Sequence, residues 1–578
     1  MTETVVLLSL AALIVLLIKG TVRPAVLFTG LLTLYYLGGL IETKAMLHNF
    51  VNPSLIVLVL LVVISGVIER TAVVEQMTRY VFSPNRVASM LRFTGMTAIF
   101  SAFLNNTAVV ASMLSMARNN KYLLPSKVLI PLSYAAIFGG TMTLIGTSTN
   151  LVVNGFVIEA GLPPLGLFDF IYVGLPVAVL GVLFLSFFGP KLLPDYDVQG
   201  AKEEEAYFLE ARVEPDSPLA GRSIQENGLR NMEQLFVAEL LRGTELISPV
   251  TPREVLQAGD VLIFTGNMRD VHELKRFVGL SIFDDARCSV GSNLTEVVIS
   301  HESNLVGRTI KEAEFRMKFD AAVVAVRRGS EKLSGKLGDI RLQAGDTLLL
   351  ATGEDFAKRE NLKKNFYFVS DRQLNKKFDL KSSIGIVLLF LGVIVLSALK
   401  IIVFLKGLLF LLGLFVLMKF LDLGEIKRTF PFDLVLIIGA ALGIAQVLTN
   451  SGVADILGGL ISGATGGMGV YGSFAAVYLM TFLLTEIITN NAAAALSFPI
   501  AYATATSLGV DPMPFVMAVA YGASASFLSP YGYQTNLMVY GPGGYRFADY
   551  LRIGLPVSVL YSAVVLALVP VFFPFGGR

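Results

Sequence analysis

Two pairs of adjacent asparagines, Asn105-Asn106 and Asn490-Asn491, interrupt apolar segments at 87–118 and 469–507. An amide facing hydrocarbon leaves its donors and acceptors unsatisfied, so these side chains require a protein-lined or water-lined setting. Two longer apolar runs are broken as well, by Gly146-Thr147-Ser148-Thr149-Asn150 and by the stretch from Ser529 to Asn536, with glycine, proline and hydroxyls. The chemistry open to such groups is binding rather than bond cleavage. Helix starts with unpaired N–H groups and a positive dipole end hold an anion. Helix ends expose carbonyl oxygens, which together with Asn and Thr side chains suit a hard monovalent cation, sodium being the natural candidate. The expected anion ligands are Asn106, Thr107, Ser148, Thr149, Asn150, Asn491, Thr535 and Asn536. The expected cation ligands are Asn105, Asn106, Gly146, Thr489, Asn490, Asn491 and Ser529. A single mid-membrane Asn more often bonds a neighbouring helix; a pair in each half, each followed by a broken Thr-Asn helix, favours a site.

These residues need elements that carry them to mid-membrane. The 578-residue chain is 54% hydrophobic and 16% charged, and its mean hydropathy is +0.67, which no water-soluble fold can bury. Apolar runs near 4–20, 24–40, 54–70, 127–160 and 171–190 form one set, and those near 383–401, 406–421, 432–449, 513–545 and 552–574 form another. About 20 helical residues cross ~30 Å of hydrocarbon. The acidic start before the first run lacks the basic region of a signal peptide, so that run is expected to stay as a span. The Asn-Asn segments read as re-entrant hairpins with their tips at the asparagines. Small residues after each tip, Ala108 and Ala111, and Ala492 to Ala495, are expected to pack closely on neighbouring helices. The 146–150 and 529–536 interruptions read as discontinuous helices, so four helix starts are expected to converge.

The two sets are copies. "NNTA" at 105–108 is matched by "NNAA" at 490–493, "TN" at 149–150 by 535–536, and "GLPV" at 174–177 by 554–557, at separations of 385, 386 and 380 residues. Five full spans in each copy invert the second relative to the first. The expected fold is therefore a polytopic α-helical membrane protein. It has a first membrane repeat over 1–194 with hairpin 87–118, and a second over 379–578 with hairpin 469–507. Lys and Arg placement, including Lys19, Arg23, Arg79, Arg86, Arg118, Lys121, Lys127, Lys191, Lys427, Arg428, Arg546 and Arg552, puts both termini outside an inner membrane and the central insert in the cytoplasm.

The insert, 195–376, turns to charged, alternating segments such as "VLIFTG" and "TLLLATG" with Gly-Asp turns. It is itself duplicated: "AGRSI" at 220–224 and "VGRTI" at 306–310, and "LQAGD" at 256–260 and at 342–346, are both 86 residues apart. Two small α/β modules, 202–281 and 285–368, account for this. They resemble the TrkA-C (RCK-C) regulatory domain in Gly-Arg-(Ser/Thr)-Ile, a strand ending in Arg-Gly, and Leu-Gln-Ala-Gly-Asp before a strand. The expectation is regulation by a small ligand at a module interface, against a passive dimerisation platform.

The membrane part resembles the divalent anion/sodium symporter (DASS) family, whose two Ser-Asn-Thr hairpin tips read here Asn105-Asn106-Thr107 and Asn490-Asn491-Ala492. The resemblance covers nearly all of the membrane region, including the amphipathic stretches 71–84 and 450–463 before the hairpins. It implies a homodimer in the lipid bilayer and an elevator movement of the hairpin-bearing part. It also implies sodium-coupled uptake of a small divalent anion. Sulfate leads, because members with TrkA-C insertions look more like inorganic-anion permeases, and a dicarboxylate follows.

Other functions are weighed against this one. Glu486 in the second hairpin would carry the proton of a proton-linked anion exporter or a cation/proton antiporter; equally it would accept hydrogen bonds from helix-end donors. A potassium channel needs a carbonyl filter, which "PYGYQ" at 530–534 is not. Arg92 reads as a snorkelling residue. "GMGVYG" at 467–472 follows no strand and is no dinucleotide site, and "NNT" at 105–107 is a sequon out of reach in a buried tip. A net charge of +2 excludes a nucleic-acid binder, and Cys288 alone makes no internal disulfide. His48, His272 and His301 lack metal-ligand spacing. No enzyme motif is present.

Overall fold

A computed structural model describes residues 2–19, 22–68, 70–71, 81–196, 208–229, 235–243, 245–247, 249–266, 274, 276–282, 294–300, 303–333, 337–353, 355–356, 359, 362–368 and 378–576. Cys288, His272, His301 and most of the amphipathic stretch 71–84 lie outside them.

Helices precede and follow a strand-bearing insert, and their order repeats. The first set is α1 (Thr2–Lys19), α2 (Pro24–Leu37), α3 (Thr43–Asn49), α4 (Pro53–Ile68), α5 (Arg86–Ser101), α6 (Asn106–Arg118), α7 (Pro125–Gly140), α8 (Ser148–Glu159) and α9 (Ile171–Phe187). The second is α10 (Leu380–Ala398), α11 (Phe404–Leu417), α12 (Leu423–Thr429), α13 (Phe432–Asn450), α14 (Val453–Ala464), α15 (Gly469–Ile487), α16 (Asn490–Ser507), α17 (Met513–Ser524), α18 (Gln534–Tyr540) and α19 (Phe547–Phe572). Among the described residues six stretches are long and apolar enough to cross a bilayer, and α2, α9, α11, α14 and α17 are shorter apolar helices. The chain is a multi-pass membrane protein.

Local sequence sets the helix ends. Asn85 caps α5 through Ala88 N–H, Asp379 caps α10 through Ser382 N–H, and Asp422 with Glu425 closes a capping box on α12. Every residue of α7 is buried, including Lys127, whose Nζ donates to the carbonyls of Pro190 and Leu193. The long runs at 127–160 and 513–545 each resolve into two helices separated by non-helical segments, 141–147 and 525–533.

Packing sorts the helices into two groups. In one, here called the frame, α2 and α3 lie on α13, α4 lies on α10, α11 and α12, and α1 rests on α2. In the other, the hairpin group, α5 and α6 pack on α7, α15 and α16 on α17, α9 on α5 and α19, and α18 on α6 and α7. Helices α8 and α16 bridge them, α8 touching α4 and α13, and α16 touching α13 and α14. The repeated Gly-Leu-Pro-Val finds its reason here: a Cβ on Gly174 would collide with the Thr141 carbonyl, and one on Gly554 with the Phe527 carbonyl, so α9 and α19 each lie directly on a non-helical segment. Ala492 to Ala495 are buried, as is Ala108, but Ala111 is exposed: it lies on the face of α6 turned away from α7 and does not pack as expected.

The described residues of the insert form two five-stranded antiparallel sheets. The first comprises β1 (Phe208–Val213), β2 (Leu235–Arg242), β3 (Glu245–Ile247), β4 (Val261–Gly266) and β5 (Leu280–Ile282), in the order β3-β2-β4-β1-β5. The second comprises β6 (Leu294–Ile299), β7 (Ala321–Arg328), β8 (Glu331–Lys332), β9 (Thr347–Thr352) and β10 (Phe366–Phe368), in the order β10-β6-β9-β7-β8. Read from β8, the second order is the first. The bulges coincide after an 86-residue shift, at Val237/Glu239 and Val323/Ala325. So do the ion pairs, Arg242–Asp260 at 2.9 Å and Arg328–Asp346 at 2.7 Å, whose hydrogen bonds hold both guanidinium groups above their ordinary pKa. Ala238 and Val324, the residues inside the two bulges, are buried together with Ala351 where the sheets meet.

Candidate functional site

The hairpin turns place the asparagines at helix starts, but not in the register suggested by sequence identity. Helix α6 begins at Asn106 with Asn105 as its cap, accepting from Thr107 N–H at 2.9 Å; α16 begins at Asn490 with Thr489 before it. Counted from the helix starts, Asn106 corresponds to Asn490, and Thr107 to Asn491. Hydrogen bonds confirm the shift of one residue. Ser101 donates to Asn106 Oδ1 at 2.6 Å, and Thr485 donates to Asn490 Oδ1 at 3.1 Å, each from five residues upstream.

The broken helices are held by a matched device. Asn150 Nδ2 donates to the carbonyls of Gly140 and Thr143 at 3.4 and 2.9 Å, and Asn536 Nδ2 to those of Ser526 and Ser529 at 3.0 and 3.1 Å. Thr143 and Ser529 each accept from an N–H three residues on, of Gly146 and Gly532, both at 3.1 Å. Their hydroxyls in turn donate to the carbonyls of Ala102 and Glu486 at the hairpin turns. Asn150 and Asn536 were expected to contact an anion. Both are buried and their Nδ2 groups staple the backbone, with Asn536 Oδ1 also accepting from Ser133 at 2.7 Å. Thr535, likewise buried, accepts from Ser133 at 2.8 Å. Orphaned carbonyls inside a low-dielectric core require such partners.

The four helix starts meet across the two halves. Thr107, second residue of α6, donates to Gln534 Oε1, first residue of α18, at 2.9 Å. Ser148 and Thr149, at the start of α8, donate to Asn491 Oδ1 of α16 at 3.2 and 3.4 Å. Tyr533 OH joins the pairs, accepting from Asn106 Nδ2 at 2.6 Å and lying 3.2 Å from the Thr147 hydroxyl. Thr107, Ser148, Gln534 and Asn491 are half-buried, whereas Asn106 and Thr149 are buried behind them. Asn105, Gly146 and Ser148 also line one recess, closed by Leu58, Leu61 and Ser65 of α4. Among the described residues no three His, Cys, Asp or Glu side chains are grouped as a transition-metal site would need. Oxygen donors here are amides, hydroxyls and carbonyls.

Glu486 stands apart. Its Oε1 accepts from the N–H groups of Phe527 and Leu528 at 2.7 and 2.8 Å, while its buried Oε2 has no hydrogen-bond partner. The acceptor role weighed for it is what Oε1 performs. Arg92 is exposed and far from serving as an anion ligand. Sequence reasoning missed Ser101, Thr485, Thr143, Tyr533 and Gln534. The usable signal was a hydroxyl five residues ahead of each amide.

The citrate transporter family, CitMHS, matches residues 12–520. This chain belongs to that family. As a CitMHS member it is a transporter and not an enzyme, in agreement with the DASS-like resemblance of its tips. It is 32% identical to the uncharacterized transporter sll0640 of Synechocystis sp., over 93% of this chain and 91% of the other. It is 28% identical to the uncharacterized transporter YfbS of Escherichia coli, over 99% of both chains. Sodium/sulfate cotransporter 1 of Chlamydomonas reinhardtii is 30% identical over 62% of this chain and 42% of its own length.

Proposed function

We propose that this CitMHS member couples sodium entry to uptake of a small divalent anion, sulfate first and a dicarboxylate next, by an elevator-type movement of the hairpin group against the frame. The observation that carries the reading is the cross-pairing of helix starts, Thr107 with Gln534 and Ser148 with Asn491. Four positive helix ends held side by side, with half-buried hydroxyls and amides among them, form a cradle for a compact anion without a buried cation of the protein's own. The recess of Asn105, Gly146 and Ser148 supplies neutral oxygens next to it, which suits sodium. A sodium/sulfate cotransporter among the relatives supports both assignments.

The repeated helix order is read as two inverted copies of five spans each, with both termini outside an inner membrane and the sheets, TrkA-C-like in motif, in the cytoplasm. A homodimer follows from the DASS resemblance. Purified protein in proteoliposomes should take up labelled sulfate with an imposed sodium gradient at least about tenfold faster than with potassium, a difference of ~1.4 kcal/mol in driving the cycle. Unlabelled succinate and citrate in the same assay rank the substrates. Sulfate uptake equal in sodium and potassium sinks the coupling.

A second reading, proton-linked exchange, is favoured by one observation, the unpartnered Oε2 of Glu486. Glu486→Gln distinguishes the two. Loss of pH-driven flux in that variant, with no response to sodium in either protein, replaces the symporter by the exchanger.

A further inference from the structure

The second sheet is fastened to both helix groups. Toward the hairpin group, Glu296 of β6 pairs with Arg118, the last residue of α6, at 2.6 Å with both side chains largely buried. Arg327 of β7 donates to the Gly541 carbonyl just after α18 at 2.7 Å and lies 3.8 Å from Glu296. Gly329, at φ +57, sits so close to the same turn that a Cβ would stand 2.7 Å from the Tyr540 hydroxyl and 2.9 Å from the Tyr545 carbonyl. A Cβ on Gly345 would stand 2.8 Å from Leu537. Toward the frame, two contacts are polar and at the surface: Arg23, the cap of α2, donates to Asn304, and Lys364 lies 3.5 Å from Asp433 in the first turn of α13; Val298 of β6 and Tyr367 of β10 also join the apolar core of the helices.

Among the described residues the first sheet repeats the fold without these contacts. Position for position, Arg327 is replaced by Leu241, Asn304 by Pro218 and Lys364 by Val278. Gly243 and Gly259, the counterparts of Gly329 and Gly345, keep positive φ with open space around them. Glu296 has an identical counterpart in Glu210, so among the docking residues the departures of the second copy from the first are Arg327, Asn304 and Lys364.

We propose that the second sheet module is a clamp across the two helix groups, which travels with the hairpin group as one body and releases the frame at Arg23–Asn304 and Lys364–Asp433 in each transport cycle. The inference rests on the reading that the hairpin group moves against the frame. Exposed charged contacts contribute little and re-form readily, whereas parting Arg118 from Glu296 breaks a close pair between two largely buried charges, so the frame side is the one that opens. Release then costs the cycle a small, fixed amount, and whatever shifts the module shifts the balance between the transport states.

The test uses full-length protein with Cys288→Ser in proteoliposomes, with spin labels on pairs drawn from Met317→Cys in the module, Lys121→Cys after α6 and Lys427→Cys in α12. Distances are measured in potassium chloride, sodium chloride and sodium sulfate. The clamp requires one unchanged distance between positions 317 and 121, and two populations between 317 and 427 whose balance differs among the media. Adding Arg23→Ala with Lys364→Ala should shift that balance about threefold toward the longer distance. If 121 and 427 move relative to each other while 317 stays fixed to 427, or if 317 moves relative to 121, the clamp is overturned and the moving-group reading survives. A fixed distance between 121 and 427 in all three media overturns the moving-group reading itself, and the clamp with it. An unshifted balance in the double variant overturns the release points.

Discussion

The two broken helices of this transporter share nearly every bond but differ at one residue of the hairpin turn. In the first half α7 runs to Gly140, and the N–H groups of Thr141 and Met142 still reach the carbonyls of Ile137 and Gly139. In the second half α17 stops at Ser524, earlier by two residues in the matched register, and the N–H groups of Phe527 and Leu528 turn to Glu486. The position matched to Glu486 through the hydroxyls of Thr143 and Ser529 is Ala102, which offers only its carbonyl. One carboxylate thus stands in for helical acceptors that unwinding removed. Sites with matching bonds need not be chemically equal, and an ionisable group at such a site need not be there for protons.

The largest effect is expected where the halves are joined. Asn106→Ala removes an acceptor of Ser101 and a donor to Tyr533, and Asn491→Ala removes the acceptor of Ser148 and Thr149, so each should lower initial sulfate uptake roughly 10- to 100-fold, as ~1–3 kcal/mol per lost buried partner implies. Uptake near the wild-type rate in one variant alone would show that only one tip belongs to the site. A middle effect separates Glu486 from its alanine counterpart. Glu486→Ala leaves two N–H groups without an acceptor and should lower stability by about 2 kcal/mol or more, read as a drop in Tm in detergent, while Glu486→Gln keeps the acceptor and stays within ~1 kcal/mol. Equal losses in both variants would mean that the charge, and not the acceptor, matters. The smallest difference is expected between the staples. Asn150→Ala and Asn536→Ala each remove one Nδ2 from two carbonyls, and Asn536→Ala also removes an acceptor of Ser133, so it should lower stability, read from thermal unfolding, by about 1 kcal/mol more than Asn150→Ala.

The tips and the breaks were legible because polar residues in apolar runs stand out against the cost of exposing them to lipid. Their register was not. Identity pairs Asn105 with Asn490, but helix geometry pairs Asn106 with Asn490, because the first turn spends an extra residue on a capping amide. The stapling by Asn150 and Asn536 was hidden for a related reason: a sequence shows an amide near a break but not whether its donors are already taken by the backbone. Contacts such as Thr107 with Gln534 join residues 427 apart, and nothing in local spacing announces them. The duplication of the insert was plain from an 86-residue repeat, yet which copy docks depends on Arg327, Asn304 and Lys364, single substitutions that carry no pattern.

The staples have a thermal consequence. Segments 141–147 and 525–533 are non-helical backbone that would otherwise sample many conformations until a ligand arrived. Fixing one residue costs about 1–2 kcal/mol in entropy at room temperature, and Asn150 and Asn536 have these segments shaped before binding. Ligand capture by such a template should show a small unfavourable entropy in calorimetry, and affinity that changes little on warming; cutting either staple would turn the same event into coupled ordering, with a larger favourable enthalpy and a steeper fall of affinity with temperature.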